Sequence, residues 1–96
     1  MDISQALKKL RKETTTLNQS EFASKLGITQ TYLSQIENGH KIPSMDLIAV
    51  YGELTKIPVS VILWMGIEEK DVKKSKVKIF RELKPTVDNL IKEIIF

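Results

Sequence analysis

Residues 19–38 read QSEFASKLGITQTYLSQIEN, which is two short helix patterns on either side of a glycine. Two helices that meet here at a sharp angle are joined by a turn of three to four residues. The residue that ends the first helix must adopt positive φ. Gly27 meets this need, because a residue with a Cβ costs roughly 1 kcal/mol or more in that conformation. Ala23 is small enough for the second helix to cross close to it. The inward apolar positions that would hold the corner are Phe22, Leu26, Ile28, Leu33 and Ile36.

The outward face of the second predicted helix is polar but carries almost no charge. It consists of Gln30, Thr31, Ser34 and Gln35, with Tyr32 near its edge and the charged Glu37 at its end. A glutamine can hydrogen-bond an adenine edge through both amide atoms, and a threonine offers a hydroxyl and a methyl group to a thymine. The alternative is a polar helix surface without a partner. Because this face sits within the corner pattern, base reading in duplex DNA is the favoured interpretation.

Helix signals also precede the corner. Apolar residues at helical spacing predict a first helix, and they are Ile3, Ala6, Leu7 and Leu10. Asp2 is its expected N-cap, with Gln5 in the position of a capping-box partner. The run Thr14-Thr15-Thr16 predicts a loop, because β-branched hydroxyl residues are poor helix formers and compete for backbone partners.

Capping residues predict where the remaining helices of the bundle begin. The expected N-caps of the second, third and fourth helices are Asn18, Thr29 and Ser44. Asn18 is followed three residues later by Glu21, which makes an asparagine version of the capping box. A short apolar helix over residues 59–65 ends near Gly66. No alternating strand pattern is present, so the sequence predicts an all-α bundle of five short helices.

The last thirty residues, 67–96, form a different kind of sequence. A charge-rich beginning leads into apolar residues at spacings of three and four, and these are Phe80, Leu83, Val87, Leu90 and Ile94, widened by Ile79, Ile91 and Ile95. Pro85 should end one helix and start another, or kink a continuous one. The stripe either packs on its own domain or forms a dimerisation surface. The lysines of this tail predict a solvated face, with a second DNA-contacting arm as the alternative.

Composition excludes several other classes of protein. A chain of 96 residues supports one compact core. It has no cysteine and one histidine, and it shows no pairing of a nucleophile with a base and no glycine-rich phosphate loop. We therefore expect no enzyme activity, no metal site and no cofactor. The absence of a signal pattern and of a long apolar run predicts a cytoplasmic protein without a membrane partner.

Residues 3–66 resemble the Xre-like class of helix-turn-helix domains, which includes the lambdoid phage repressors and Cro. The residues that carry the resemblance are Leu7-Lys8-Lys9-Leu10-Arg11, Leu17-Asn18-Gln19-Ser20-Glu21-Phe22-Ala23, Leu26-Gly27-Ile28-Thr29, Leu33-Ser34-Gln35-Ile36-Glu37-Asn38-Gly39, Pro43-Ser44 and Pro58-Val59-Ser60-Val61-Ile62-Leu63. The resemblance implies a five-helix repressor-like DNA-binding domain over residues 1–66, followed by a helical extension over 67–96 that does not belong to the family's domain.

The resemblance also implies roles for individual residues. Base reading falls to Gln30, Thr31 and Gln35. Contacts with the DNA backbone fall to Gln19, Tyr32, Ser34, Asn38, His40 and Lys41. Gln19 is also expected to brace Gln30. Arg11 corresponds to an arginine that pairs with Glu37 as a structural clamp. The interval from Arg11 to Gln19 is one residue longer than usual in the family, which leaves Lys12 as the alternative partner.

These features together predict a sequence-specific regulator that binds double-stranded DNA. The expected form is a repressor that acts as a homodimer on a two-fold symmetric operator. The alternative is an antitoxin or protein-interaction module whose C-terminal tail binds a partner protein. The first predicts that the isolated chain has the mass of a dimer in solution. The second predicts the mass of a monomer.

Overall fold

The protein consists of six α-helices without a strand, and the computed structural model describes all residues 1–96. The helices are α1 (Ser4–Thr14), α2 (Gln19–Leu26), α3 (Gln30–Glu37), α4 (Met45–Thr55), α5 (Val59–Gly66) and α6 (Val77–Ile95). Two short 3-10 turns, Glu69–Asp71 and Lys74–Lys76, connect α5 to α6. The predicted fold class, a five-helix bundle with a C-terminal helical extension, is confirmed.

The hydrophobic core lies among α1 to α5. Its buried members are Ile3, Leu7, Leu10, Phe22, Ala23, Leu26, Leu33, Ile36, Leu47, Ile48, Tyr51, Ile57 and Ile62. At its centre the rings of Phe22 and Tyr51 meet edge to face, with centroids 4.9 Å apart. This arrangement packs α2 against α4 and so fixes the direction in which α2 enters the corner.

Side-chain caps define the starts of α2, α3 and α4. Asn18 accepts a hydrogen bond from the backbone N–H of Glu21 at 2.8 Å, and the Glu21 side chain accepts one from Asn18 N–H at 3.1 Å. Thr29 and Ser44 accept equivalent bonds from Tyr32 and Leu47. All three predicted caps are confirmed, because each depends only on residues close in sequence.

The start of α1 differs from its prediction. The N-cap position is occupied by Ile3, and the Asp2 carboxylate accepts bonds from the backbone N–H and the hydroxyl of Ser4. The cause is tertiary packing. Asp2 N–H donates to the carbonyl of Gly66 at 2.9 Å, and Ile3 lies so close to Gly66 that a Cβ there would come within 1.8 Å of its Cγ2 atom.

The C-terminal helix α6 runs without interruption through Pro85, so the prediction of a continuous helix holds and that of two helices does not. It is attached to the body through Trp64 of α5. The indole N–H of Trp64 donates to Asp88 at 3.0 Å, and the Phe80 ring lies 6.3 Å from the indole. Lys84 bonds Asp88 and lies 5.1 Å from the centre of the indole. Part of the apolar stripe therefore packs on its own chain.

No single helix is both long and apolar enough to cross a membrane. The helices α4 and α5 reach that length and composition only when taken together, and they are bent by 115° at the break between them. Their apolar side chains Ile48, Tyr51 and Ile62 are buried in the core described above.

Candidate nucleic-acid interface

The corner between α2 and α3 is built by local backbone conformation and close packing. Gly27 ends α2 with φ of 78°, and the N–H of Ile28 reaches back to the carbonyl of Ala23 at 3.0 Å. Ala23 is almost completely buried. A larger side chain at position 23 would push the helices apart, so α3 is held at a fixed angle by Gly27 and Ala23 together.

The outward face of α3 is open to solvent. Gln30 and Thr31 are exposed, and Ser34 and Gln35 are partly buried. Together with Gln19 from α2 these four residues line a shallow concave surface that contains no charged and no apolar side chain. We call this surface the amide face. It combines amide and hydroxyl groups, which both donate and accept hydrogen bonds, and no carboxylate on it repels a polyanion.

Tyr32 and the loop after α3 lie beside the amide face. Tyr32 is partly buried and packs against the core. Asn38, His40 and Lys41 are exposed, and the Asn38 amide donates to the Ser34 hydroxyl at 3.3 Å. The N–H groups of His40 and Lys41 both bond the carbonyl of Gln35, at 2.8 and 3.2 Å. These bonds hold the loop next to the C-terminal end of α3.

A buried ion pair joins α1 to the end of α3. The Arg11 guanidinium binds the Glu37 carboxylate through two bonds, from Nε at 2.9 Å and from Nη2 at 2.8 Å. Both residues are buried, whereas Lys12 is exposed. The partner of Glu37 is therefore Arg11 and not Lys12. Helix α1 ends at Thr14, and residues 15–18 form the loop that leads to Gln19.

Two further residues bond Glu37. The amide of Gln19 donates to its Oε1 atom at 3.2 Å, and the hydroxyl of Tyr51 donates to Oε2 at 3.3 Å. The resemblance implied that Gln19 braces Gln30, but its hydrogen-bond partner is Glu37. No sequence signal identified Tyr51, which lies in an apolar helix and looked like an ordinary core residue. The clamp is thus a four-residue cluster, and through Gln19 it reaches the amide face.

The charge state of the clamp follows from opposing effects. Burial raises the pKa of Glu37, but the hydrogen bonds and positive charge of Arg11, with the bonds from Gln19 and Tyr51, bring it below its ordinary value. The bond to Glu37 also raises the pKa of Arg11. Burial and the neighbouring Glu37 carboxylate raise the pKa of Tyr51. The pair is therefore ionised and the tyrosine neutral near pH 7.

This ionisation predicts an acid dependence of stability. A carboxyl whose pKa is lowered by folding stabilises the protein above its unfolded pKa of about 4.3, and this contribution is lost as the pH falls through the lower folded pKa. We expect the free energy of unfolding to decline below about pH 4.5, and to decline less steeply in Glu37→Gln. Urea unfolding at a series of pH values measures the slopes. The control Glu13→Gln, at an exposed position on α1, should parallel the wild type. Equal slopes for Glu37→Gln and the wild type would contradict the prediction.

No cluster of three or more His, Cys, Asp or Glu side chains is placed to hold a metal ion. What the surface offers is hydrogen-bond donors and acceptors from the amide face, together with the exposed cation of Lys41. Uncharged groups that both donate and accept can pair with base edges, and a lysine can neutralise a phosphate.

A family model described as helix-turn-helix matches residues 7–62, which is more than half of the chain. The chain therefore belongs to the helix-turn-helix family, in the Xre-like class whose members are DNA-binding transcriptional regulators.

Two similar proteins come from a mycoplasma and from a bacteriophage. The chain is 51% identical over 39 residues to the control protein C.MunI of Mycoplasma sp, a match that covers 41% of this chain and 53% of that one. It is 37% identical over 63 residues to the ImmF control region 10 kDa protein of Bacillus phage phi105, covering 66% of this chain and 70% of the relative. The match thus spans about half the length of C.MunI. No solved structure is significantly similar to the chain.

Proposed function

We propose that the protein is a transcriptional repressor that binds double-stranded DNA in the cytoplasm as a homodimer. The observation that carries the proposal is the amide face, an uncharged and hydrogen-bonding surface on a helix held rigidly by the corner and the clamp. One relative is a control protein and the other belongs to a control region, which supports a regulatory role.

In this proposal α3 enters the major groove. Gln30, Thr31 and Gln35 read base edges through their amides and hydroxyl. The DNA backbone is contacted by residues around this face, namely Gln19, Tyr32, Ser34, Asn38, His40 and Lys41. The first N–H groups of α2 and α3 have no partner within their own helices, and such groups favour phosphate oxygens. Arg11 and Glu37 act behind the interface, because they fix the position of α3.

A two-fold dimer requires a two-fold operator. Each copy would place its α3 in one half-site, and the half-sites would lie about 10 bp, or roughly 34 Å, apart along one face of the duplex, or a multiple of that. A dimer bound there would repress by excluding other proteins from the same DNA.

The substitution Gln30→Ala tests base reading. We expect it to lower discrimination at one base pair by about 1–3 kcal/mol, because the amide that pairs with the base edge is gone. Competition binding measures this loss, with single-base variants of the DNA sequence that the wild-type chain prefers. Asn89→Ala serves as the control, since it removes an exposed amide on α6, away from the amide face. An unchanged preference in Gln30→Ala would contradict its role.

The substitution Lys41→Ala tests backbone contact. A lysine that neutralises one phosphate releases one counterion, so we expect weaker binding to all sequences alike and a salt dependence flatter by about one unit. Binding to preferred and random DNA at several salt concentrations measures both effects. Lys56→Ala, an exposed lysine at the end of α4, should keep the original slope. A loss confined to the preferred DNA would show that Lys41 reads sequence instead.

A further inference from the structure

The apolar stripe of α6 is divided into a covered half and an open half. Four of its side chains are partly buried on the side that faces the body, and these are Phe80, Val87, Ile91 and Ile95. The other four are exposed: Ile79 by 57%, Leu83 by 48%, Leu90 by 52% and Ile94 by 80%. We call these four the open stripe. Contiguous aliphatic surface of this kind on one helix marks a protein interface.

We propose that the open stripe pairs antiparallel with the open stripe of a second copy of this chain. The inference rests on the dimer of the proposed function and identifies its interface. Ile79 and Leu83 are four residues apart, Leu83 and Leu90 seven, and Leu90 and Ile94 four. This spacing reads the same in both directions about a point between residues 86 and 87. A two-fold axis at that point places Ile79 against the partner's Ile94 and Leu83 against the partner's Leu90, which is the self-complementarity of an isologous contact.

The charge distribution along the tail favours the same direction of pairing. The segment that leads into α6 and the first turn of the helix are basic, with exposed lysines at 73, 74, 76 and 78. In its last turn Lys92 and Glu93 offset each other, and the helix ends in the negative end of its dipole. An antiparallel pair brings each basic end beside the opposite end of its partner. A parallel pair would place the two lysine groups side by side, which is unfavourable.

The contacts of α6 with its own body fix how the open stripe is presented. Trp64 and Lys84 both bond Asp88, and the Arg81 guanidinium forms a two-bond ion pair with Glu69 in the preceding turn. These contacts lie away from the open stripe. The helix is therefore held on the body while four aliphatic side chains stay accessible, and pairing needs no rearrangement of α1 to α5.

The test uses sedimentation of the full chain and two double variants. Leu83→Glu with Leu90→Glu places like charges against each other in an antiparallel pair, so the mass should fall twofold, from a dimer to the 11.0 kDa chain. Leu83→Glu with Leu90→Lys places opposite charges together only if the helices run antiparallel, so this variant should sediment as a dimer. In a parallel pair each residue meets its own copy, and the same variant would be a monomer.

Matched controls separate pairing from folding and from DNA binding. Asn89→Glu with Lys92→Glu adds charge to α6 outside the open stripe and should leave the dimer intact. The far-ultraviolet circular dichroism spectrum below the melting transition should be unchanged in both Leu variants, because neither leucine belongs to the core. A wild-type chain that is monomeric, or a dimer that survives Leu83→Glu with Leu90→Glu, would overturn the pairing. Enrichment of a DNA motif by such a chain would leave base reading by the amide face standing, since that face is a separate surface.

Discussion

The substitution Arg11→Ala should lower the free energy of unfolding by about 3–5 kcal/mol, a large part of the total stability of a domain this size. The reason is the position of Glu37, which is 4% exposed and receives two of its hydrogen bonds from Arg11. Removal of the guanidinium leaves a buried carboxylate with only the neutral donors Gln19 and Tyr51. Urea unfolding at pH 7 measures the loss.

The neighbouring residue supplies the matched control for Arg11. Lys12→Ala truncates an exposed cation on the same helix, so it should change the free energy of unfolding by no more than about 0.5 kcal/mol. If Arg11→Ala lowers the free energy of unfolding by no more than Lys12→Ala does, then the clamp does not stabilise the corner. Because the clamp positions α3, we also expect Arg11→Ala to weaken DNA binding, even though the residue lies behind the amide face.

The triple substitution of Gln30, Thr31 and Gln35 by alanine should abolish sequence preference. Specific and non-specific DNA binding differ by about 4–10 kcal/mol, so affinity for the preferred DNA should fall at least about a thousandfold, to the level of random DNA. The chain should still fold, because these side chains lie outside the core and alanine is the best helix former. Fluorescence anisotropy at one fixed salt concentration measures both affinities.

Affinity for random DNA is the internal control for the triple variant. It depends on phosphate contacts and the basic charge of the chain, which the three substitutions leave in place. We therefore expect it to remain near the wild-type value. If both affinities fell together, the three residues would act on the DNA backbone and not on the bases.

The sequence predicted the corner and its caps correctly because they depend on residues close together in the chain. Gly27 with positive φ, the Asn18–Glu21 capping box and the Thr29 cap are all local hydrogen-bond and backbone effects. Asp2 was assigned wrongly because contact with Gly66, at the far end of the bundle, determines how the chain enters α1. A pattern confined to the first turn contains no information about that contact.

The clamp and the tail show where sequence reasoning could not choose between alternatives. Arg11 and Lys12 are adjacent cations, and only the direction in which α1 packs turns Arg11 toward Glu37. No sequence signal identified Tyr51 as a partner of Glu37. A tyrosine on the inward side of an apolar helix is equally consistent with an ordinary core residue. In the tail, the apolar stripe was wide enough for two surfaces. The position of Trp64 decides which half is covered.

Selection of the wild-type chain against a random pool of double-stranded DNA tests the central claim, that the amide face reads base sequence. We expect recovery of one motif, repeated as two inverted half-sites with centres about 10 bp apart or a multiple of that. A pool recovered without any enriched motif would contradict the claim.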